Sequence, residues 1–389
     1  MSNRLHYIDR CRALLMLLGI PYHAARMFSS DWGPAQGDPS MFCAVVAQTI
    51  TEFRMPAFFL IAGYFAAMLL VRTPRETWLR TRIVRLGIPL ATATIVVLPL
   101  QMLIGPLMAG GTASEILLAW WNEMRVPSQA WVSHLWFLQD LIVLSLMMTA
   151  AWPLVARARR LHLFRPLARA PFVAMLVAIG VVGIPLTLAD PVIDASLAGH
   201  LANRLVHNGV FFLLGAGLFL RPEIFDRWLT WSWGRAGVAV AVIVVAVSLV
   251  LAGNHYRPGM LMGWIAAIGG AWLVLAAMKR WGDAPSPRVS MFVSASLTVY
   301  LVHHPIVLAL GVFTPSIPLA PEAKWLAVVM LTLVLSMAFY LVIRRLPVVF
   351  YLFNGQRPAA IRASVPRSLA RPPERREQSD FDASPYRGS

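Results

Sequence analysis

Residues 324–343 read KWLAVVMLTLVLSMAFYLVI, twenty positions with one charge, placed at the first. A helix of about 20 apolar residues is what the ~30 Å hydrocarbon core of a bilayer requires. The run is continuous and lacks the alternating period of a barrel strand, so it reads as a helix. Working outward from it, nine more runs of the same kind recur, at 11–28, 48–71, 86–108, 134–156, 171–189, 204–220, 236–252, 258–278 and 290–313. Pro21, Pro56 and Pro185 fall inside three of them and predict tilts or kinks.

Composition agrees. Of 389 residues, 58% are hydrophobic and only 13% charged, with a mean hydropathy of +0.65. A soluble domain would carry about a quarter charged residues. An ordinary soluble enzyme and a disordered chain are both excluded. The formal charge of +16 comes from 34 Lys and Arg against 18 Asp and Glu. These cations sit in short clusters between apolar runs and do not gather on one polar surface, so no nucleic-acid partner is expected. Two cysteines, Cys11 and Cys43, cannot build a disulfide framework or a zinc cluster. No small-residue cleavage site follows the first run, so that run is expected to stay as a span. The expected partner is the lipid bilayer itself.

With the N terminus on the cytoplasmic side, 28 of the 34 cations fall in the loops and tail of that side. The expected fold is therefore all-α: a polytopic integral membrane helical bundle of about ten transmembrane helices, both termini cytoplasmic. The membrane domain is expected over 1–350. A basic tail rich in Pro, Arg and Ser over 351–389 lacks apolar periodicity and is expected to be disordered.

Ionisable groups inside spans are costly and mark function by default. Arg12 and His23 are separated by eleven helical steps, which brings them within about 20° of one face and about 16 Å apart along the axis. Asp9 stands three residues before Arg12, where it can pair with it. Arg54 precedes Pro56; its guanidinium either snorkels to the surface or grips a carboxylate by two parallel hydrogen bonds. Arg80, Arg82 and Arg85 are expected in a loop with Trp78, as orientation charges or as counter-charge for a polyphosphate. His134 opens the fourth span, followed by Gln139 and Asp140, and Tyr300 is followed by the adjacent pair His303 and His304. Neighbours on a helix diverge by 100°, so only one of the pair is expected to face a small site unless Pro305 distorts the turn. Arg204, His207 and Asn208 form a weaker cluster. A zinc site from His23, His134 and His303 has no ligand spacing behind it, and no metal is expected. No phosphate loop or nucleophile elbow is present, so chemistry and transport both remain open on these residues alone.

Five stretches nevertheless occur together and in order: YIDRCRALLMLLGIPYH (7–23), FRMPAFFLIAGYF (53–65), RIVRLGIP (82–89), SHLWFL (133–138) and YLVHHP (300–305). With them the chain resembles the integral-membrane acyltransferase type 3 family, and within it a branch that succinylates osmoregulated periplasmic glucans. The resemblance implies an O-acyltransferase of the bacterial inner membrane that takes its acyl group from cytosolic acyl-CoA, here succinyl-CoA. The acceptor implied is a glucan hydroxyl on the periplasmic side. His23 would be the general base, or an acyl-histidine would intervene. Arg12, Arg82 and Arg85, with Asp9, would meet the coenzyme near the cytoplasmic face. Arg54 would hold the distal carboxylate or the oxyanion. His134, His303 or His304, beside Tyr300, would orient His23 or donate to the oxyanion. The competing readings are an acyltransferase acting on another envelope polysaccharide, and a transporter or flippase of an anionic substrate, which would move glucan without forming an ester.

Overall fold

The computed structural model describes residues 6–29, 39–126, 131–158, 172–193, 197–253, 257–284 and 286–356. Of the tail expected over 351–389, residues 357–389 lie outside the described residues. Among the described residues every regular element is helical. In chain order the α-helices are α1 (His6–Leu17), α2 (Gly19–Met27), α3 (Met41–Leu70), α4 (Arg75–Thr92), α5 (Leu98–Met102), α6 (Ile104–Ala109) and α7 (Ala113–Arg125). There follow α8 (Trp136–Ala158), α9 (Phe172–Ile193), α10 (Leu197–Leu220), α11 (Pro222–Trp228), α12 (Trp233–Leu251), α13 (Arg257–Trp281), α14 (Pro287–Gly311), α15 (Pro321–Ile343) and α16 (Pro347–Asn354). A π-helical stretch, Ala93–Val97, joins α4 to α5.

Among the described residues, eight helical segments are long and apolar enough to cross a membrane. They match eight of the ten runs, which makes this a multi-pass membrane protein. The first run is helical but divided at Leu18 into α1 and α2. The division has a cause in Pro21, which has no N–H for the Leu17 carbonyl four residues back. The fifth run lies in the 22-residue helix α9, within which Met175–Ala189 is a continuous apolar stretch. Pro56 and Pro305 are accommodated without a break in α3 and α14.

The long helix α3 forms the centre, with α2, α10, α12 and α13 packed around it. Lipid tails are as apolar as leucine, so membrane helices associate through close packing more than through exclusion from water. The α3–α10 seam is the closest in the bundle. A Cβ at Gly63 would lie 1.8 Å from the Phe212 carbonyl oxygen, and a Cβ at Gly215 would lie 1.8 Å from the Leu60 carbonyl oxygen. The two backbones touch through reciprocal glycines.

Two expectations are corrected here. Arg80, Arg82 and Arg85 lie on helix α4 and not in a loop. Pro74 caps that helix, and nothing between Arg75 and Leu86 interrupts it. Helical structure also runs past residue 350, because α16 continues to Asn354 and packs against α4 and α14.

Candidate active site

Four imidazoles meet in one layer of the bundle. His23 comes from α2, His134 from the short 3₁₀ turn Ser133–Leu135 ahead of α8, and His303 and His304 from α14. The His23 ring centroid lies 5.2 Å from that of His303 and 4.5 Å from that of His304. His134 is 5.6 Å from His303 and stacks on His304 at 4.9 Å. Both members of the adjacent pair therefore face the cluster, against the expectation of one. The reason is geometric: their rings are 6.3 Å apart, and His23 and His134 each reach both of them. Among the described residues no group of three His, Cys, Asp or Glu is arranged to hold a metal ion.

Backbone carbonyls fix the tautomers. Pro305 has no N–H, so the Leu301 carbonyl has no helical donor, and His134 Nε2 takes it at 3.1 Å. A carbonyl only accepts, so Nε2 carries the proton and Nδ1 of the neutral ring is the acceptor. Ser133 Oγ lies 3.5 Å from that Nδ1 and accepts from Gln101 Nε2 at 2.8 Å. Gln101 Oε1 in turn accepts from His304 Nδ1 at 2.9 Å. One directed chain of donors thus runs from His304 through Gln101 and Ser133 to His134 and the Leu301 carbonyl. Ser133 holds its place at φ 39°, a left-handed conformation that L-residues seldom adopt. Such strain costs about 1–3 kcal/mol and tends to collect at functional sites. His303 Nδ1 donates to the Tyr300 carbonyl at 2.7 Å, which leaves Nε2 as a lone-pair acceptor, buried without a hydrogen bond. Tyr300 hydroxyl donates to the His134 carbonyl.

Arg54 does not snorkel. Its side chain is buried at 7% exposure, and Nε donates to the Leu15 carbonyl at 2.9 Å. Its guanidinium lies 5.7 Å from the Tyr22 ring centre. A Cβ at Gly19 would come within 2.7 Å of Arg54 Nη2 and 3.0 Å of His303 Nε2, so both groups rest on the bare glycine. These side chains border a cavity of about 290 Å³ lined by Tyr22, His23, Arg54, His134, Trp136 and Tyr300, with Thr51 beside them.

The remaining candidates lie elsewhere. Arg12, three helical turns before His23, pairs with Asp9 at 3.9 Å and stands over the Phe65 ring at 5.3 Å. It shares its electrostatic surroundings with Arg82 and Arg85. Arg82 turns inward to Ser145 Oγ at 3.4 Å. Arg85 turns to a separate cleft of about 510 Å³, lined also by Arg80 and Tyr351. The molecule thus carries a histidine site and an arginine site, joined by α1 and α2.

Three participants are absent from the sequence-derived set of site residues. Gln101 and Ser133 complete the donor chain; a glutamine within an otherwise apolar run was the available signal. Asp140 was noticed only as a polar neighbour of His134. It is 1% exposed and takes two hydrogen bonds from Arg204 Nε, at 3.1 and 3.0 Å, one from Arg204 Nη2 at 2.8 Å and one from Asn208 at 2.8 Å. His207 stacks on Trp264 at 4.2 Å instead of joining them.

This imidazole cluster with its buried guanidinium lies within a multi-pass bundle, and the chain belongs to the acyltransferase domain family, whose model matches residues 5–341. Within that family it is similar to glucans biosynthesis protein C of Salmonella paratyphi A and of Salmonella agona. Each is 30% identical over 378 residues, covering 92% of this chain and 96% of the relative. The same protein of Salmonella typhi is 29% identical over the same shares. No solved structure matches.

Proposed function

We propose that this acyltransferase carries a succinyl group from succinyl-CoA at the cytoplasmic face of the inner membrane to hydroxyls of osmoregulated periplasmic glucans, with His23 as general base. The observation that carries the proposal is the convergence of His23, His134 and Arg54 on one cavity, with the rings of His303 and His304 packed against those of His23 and His134. The name of the relatives supports a glucan as the acceptor.

His23 lines the cavity, and a neutral imidazole suits proton abstraction near neutral pH. It takes the proton of the glucan hydroxyl as that oxygen attacks the thioester carbonyl. The C–O bond forms, the C–S bond breaks, and the proton passes to the departing thiolate. His304 is the imidazole nearest His23 and is oriented by Gln101. It steadies the charge that develops on His23. Arg54 has its Nε committed to Leu15 and its Nη2 beside Gly19, facing the cavity. That cation holds the distal carboxylate of the succinyl group. At the other site the residues present suit a coenzyme: Arg80 and Arg85 would meet its phosphates, and Arg12 and Arg82 would line the way inward.

The test is mass spectrometry of periplasmic glucans from a strain lacking the gene, complemented with wild type or His23→Ala at matched protein levels. Succinylated glucan with wild type and none with the variant is expected. No acyl group on the glucan with wild type would remove the glucan assignment. Full activity in the variant would remove His23 as base.

A further inference from the structure

The Asp140–Arg204 pair plays no part in the acyl transfer described above, yet it is an expensive thing to keep in a membrane bundle. Breaking buried ions out of water costs several kcal/mol per ion, and such a pair is often no more stabilising than apolar residues of the same volume. Its geometry shows what it holds. Asp140, itself held by a hydrogen bond from Asn208, fixes the Arg204 side chain by three hydrogen bonds, and the guanidinium carbon sits 5.1 Å from the centre of the Trp136 ring. One face of that indole is therefore covered by a cation that cannot swing away. What is left to the cavity is the other face and the edge, and Trp136 is one of the residues that line it.

In the same cavity Tyr22 has Arg54 over its ring at 5.7 Å. Of the aromatic rings that line the cavity, Trp136 and Tyr22 each have a guanidinium over the ring, and the Thr51 hydroxyl and the imidazoles of His23 and His134 line it with them. Apolar ring faces combined with a few convergent polar groups are what a pyranose requires, since it presents C–H bonds on its faces and hydroxyls around its rim. An acyl chain ending in a carboxylate has no such need of a flat wall. Trp136 also follows His134 by two residues, and both side chains line the cavity.

We infer that Trp136, braced from behind by the Arg204–Asp140 pair, is the stacking platform for the acceptor sugar ring. The inference rests on the proposed function, in that it takes the acceptor to be a saccharide. It assigns Trp136 to acceptor binding and leaves donor binding to Arg54 and the arginine site.

The experiment uses the full chain in lipid nanodiscs, with succinyl-CoA as donor and a short β-gluco-oligosaccharide as acceptor, and measures ester formation while each is varied. Trp136→Phe keeps a smaller flat ring, whereas Trp136→Leu keeps bulk without a flat face. The expected result is an acceptor KM about tenfold higher in Trp136→Leu, with most of the affinity kept in Trp136→Phe. The donor KM stays near that of wild type in both. Equal behaviour of Phe and Leu, or parallel changes in both KM values, would show Trp136 to be a structural wall and overturn the inference. If the wild-type protein forms no ester on the saccharide while the donor is consumed with another acceptor, the glucan reading itself fails and the platform falls with it. A melting curve for each variant identifies one that has not folded. In that event Tyr22→Phe and Tyr22→Leu, at the other ring with a guanidinium over it, give the same contrast, and an unchanged acceptor KM in both counts against a stacking site.

Discussion

Gly19 and Arg54 are in direct contact between α2 and α3: a Cβ on the glycine would come within 2.7 Å of the guanidinium. The absence of a side chain there allows a buried cation to lie against the histidine layer. Gly19→Ala is accordingly expected to shift Arg54 and His303 without unfolding the bundle, because the displaced atoms end a flexible side chain. A displacement of about 1 Å in a reacting site costs on the order of a hundredfold in rate. Initial rates of ester formation, set beside a melting curve close to that of wild type, check this.

Gln101 accepts from His304 and donates to Ser133, so its two ends can be tested separately. Gln101→Leu removes both hydrogen bonds and is expected to lower kcat about tenfold, the worth of about one net hydrogen bond. Gln101→Glu can still accept from His304 but has no N–H for Ser133, and should fall between wild type and the leucine variant. A kcat for the glutamate variant below that of the leucine variant would contradict the directed chain.

Arg54 discriminates donors if it holds a distal carboxylate. Arg54→Ala should reduce succinyl transfer by about tenfold to a hundredfold, the range for a charge-assisted hydrogen bond, while acetyl transfer from acetyl-CoA changes far less. Competition between the two thioesters, read by glucan mass, gives the ratio directly. Equal losses for both donors would move Arg54 to the oxyanion.

Asp140→Asn leaves the Arg204 guanidinium buried without its counter-charge. The expected loss is about 3–5 kcal/mol, seen as a lower unfolding temperature in detergent. Asp140→Asn combined with Arg204→Met removes the orphaned charge and should recover much of that loss. The double variant would still lack the brace behind Trp136, so recovered stability with weakened acceptor binding is the combination to look for.

Much of this was legible in the chain. Periodicity located the helices, because twenty apolar residues leave the backbone few alternatives, and Pro21 marked where the first run divides. His23, His134, His303 and His304 could be singled out because polar groups are rare in such runs. Their convergence could not be read, since it depends on how α2, α8 and α14 pack. Arg54 shows the difficulty well. A cation near the end of a span has two satisfactory solutions, outward to water or inward to a carbonyl, and its local sequence is the same for both. The Leu15 carbonyl decides between them, thirty-nine residues away. Ser133 was equally hidden, because no local pattern announces a serine held at positive φ by its partners on another helix.

The reciprocal glycines at 63 and 215 carry a mechanical consequence. With each carbonyl seated where the other helix has no side chain, α3 and α10 can neither slide nor roll without collision, so they travel as one rigid strut. Arg54 is mounted on that strut, as are Arg204 and Asn208. The Arg54 guanidinium is thereby carried on the rigid strut, while the rings of His23, His303 and His304 are carried on α2 and α14, outside it.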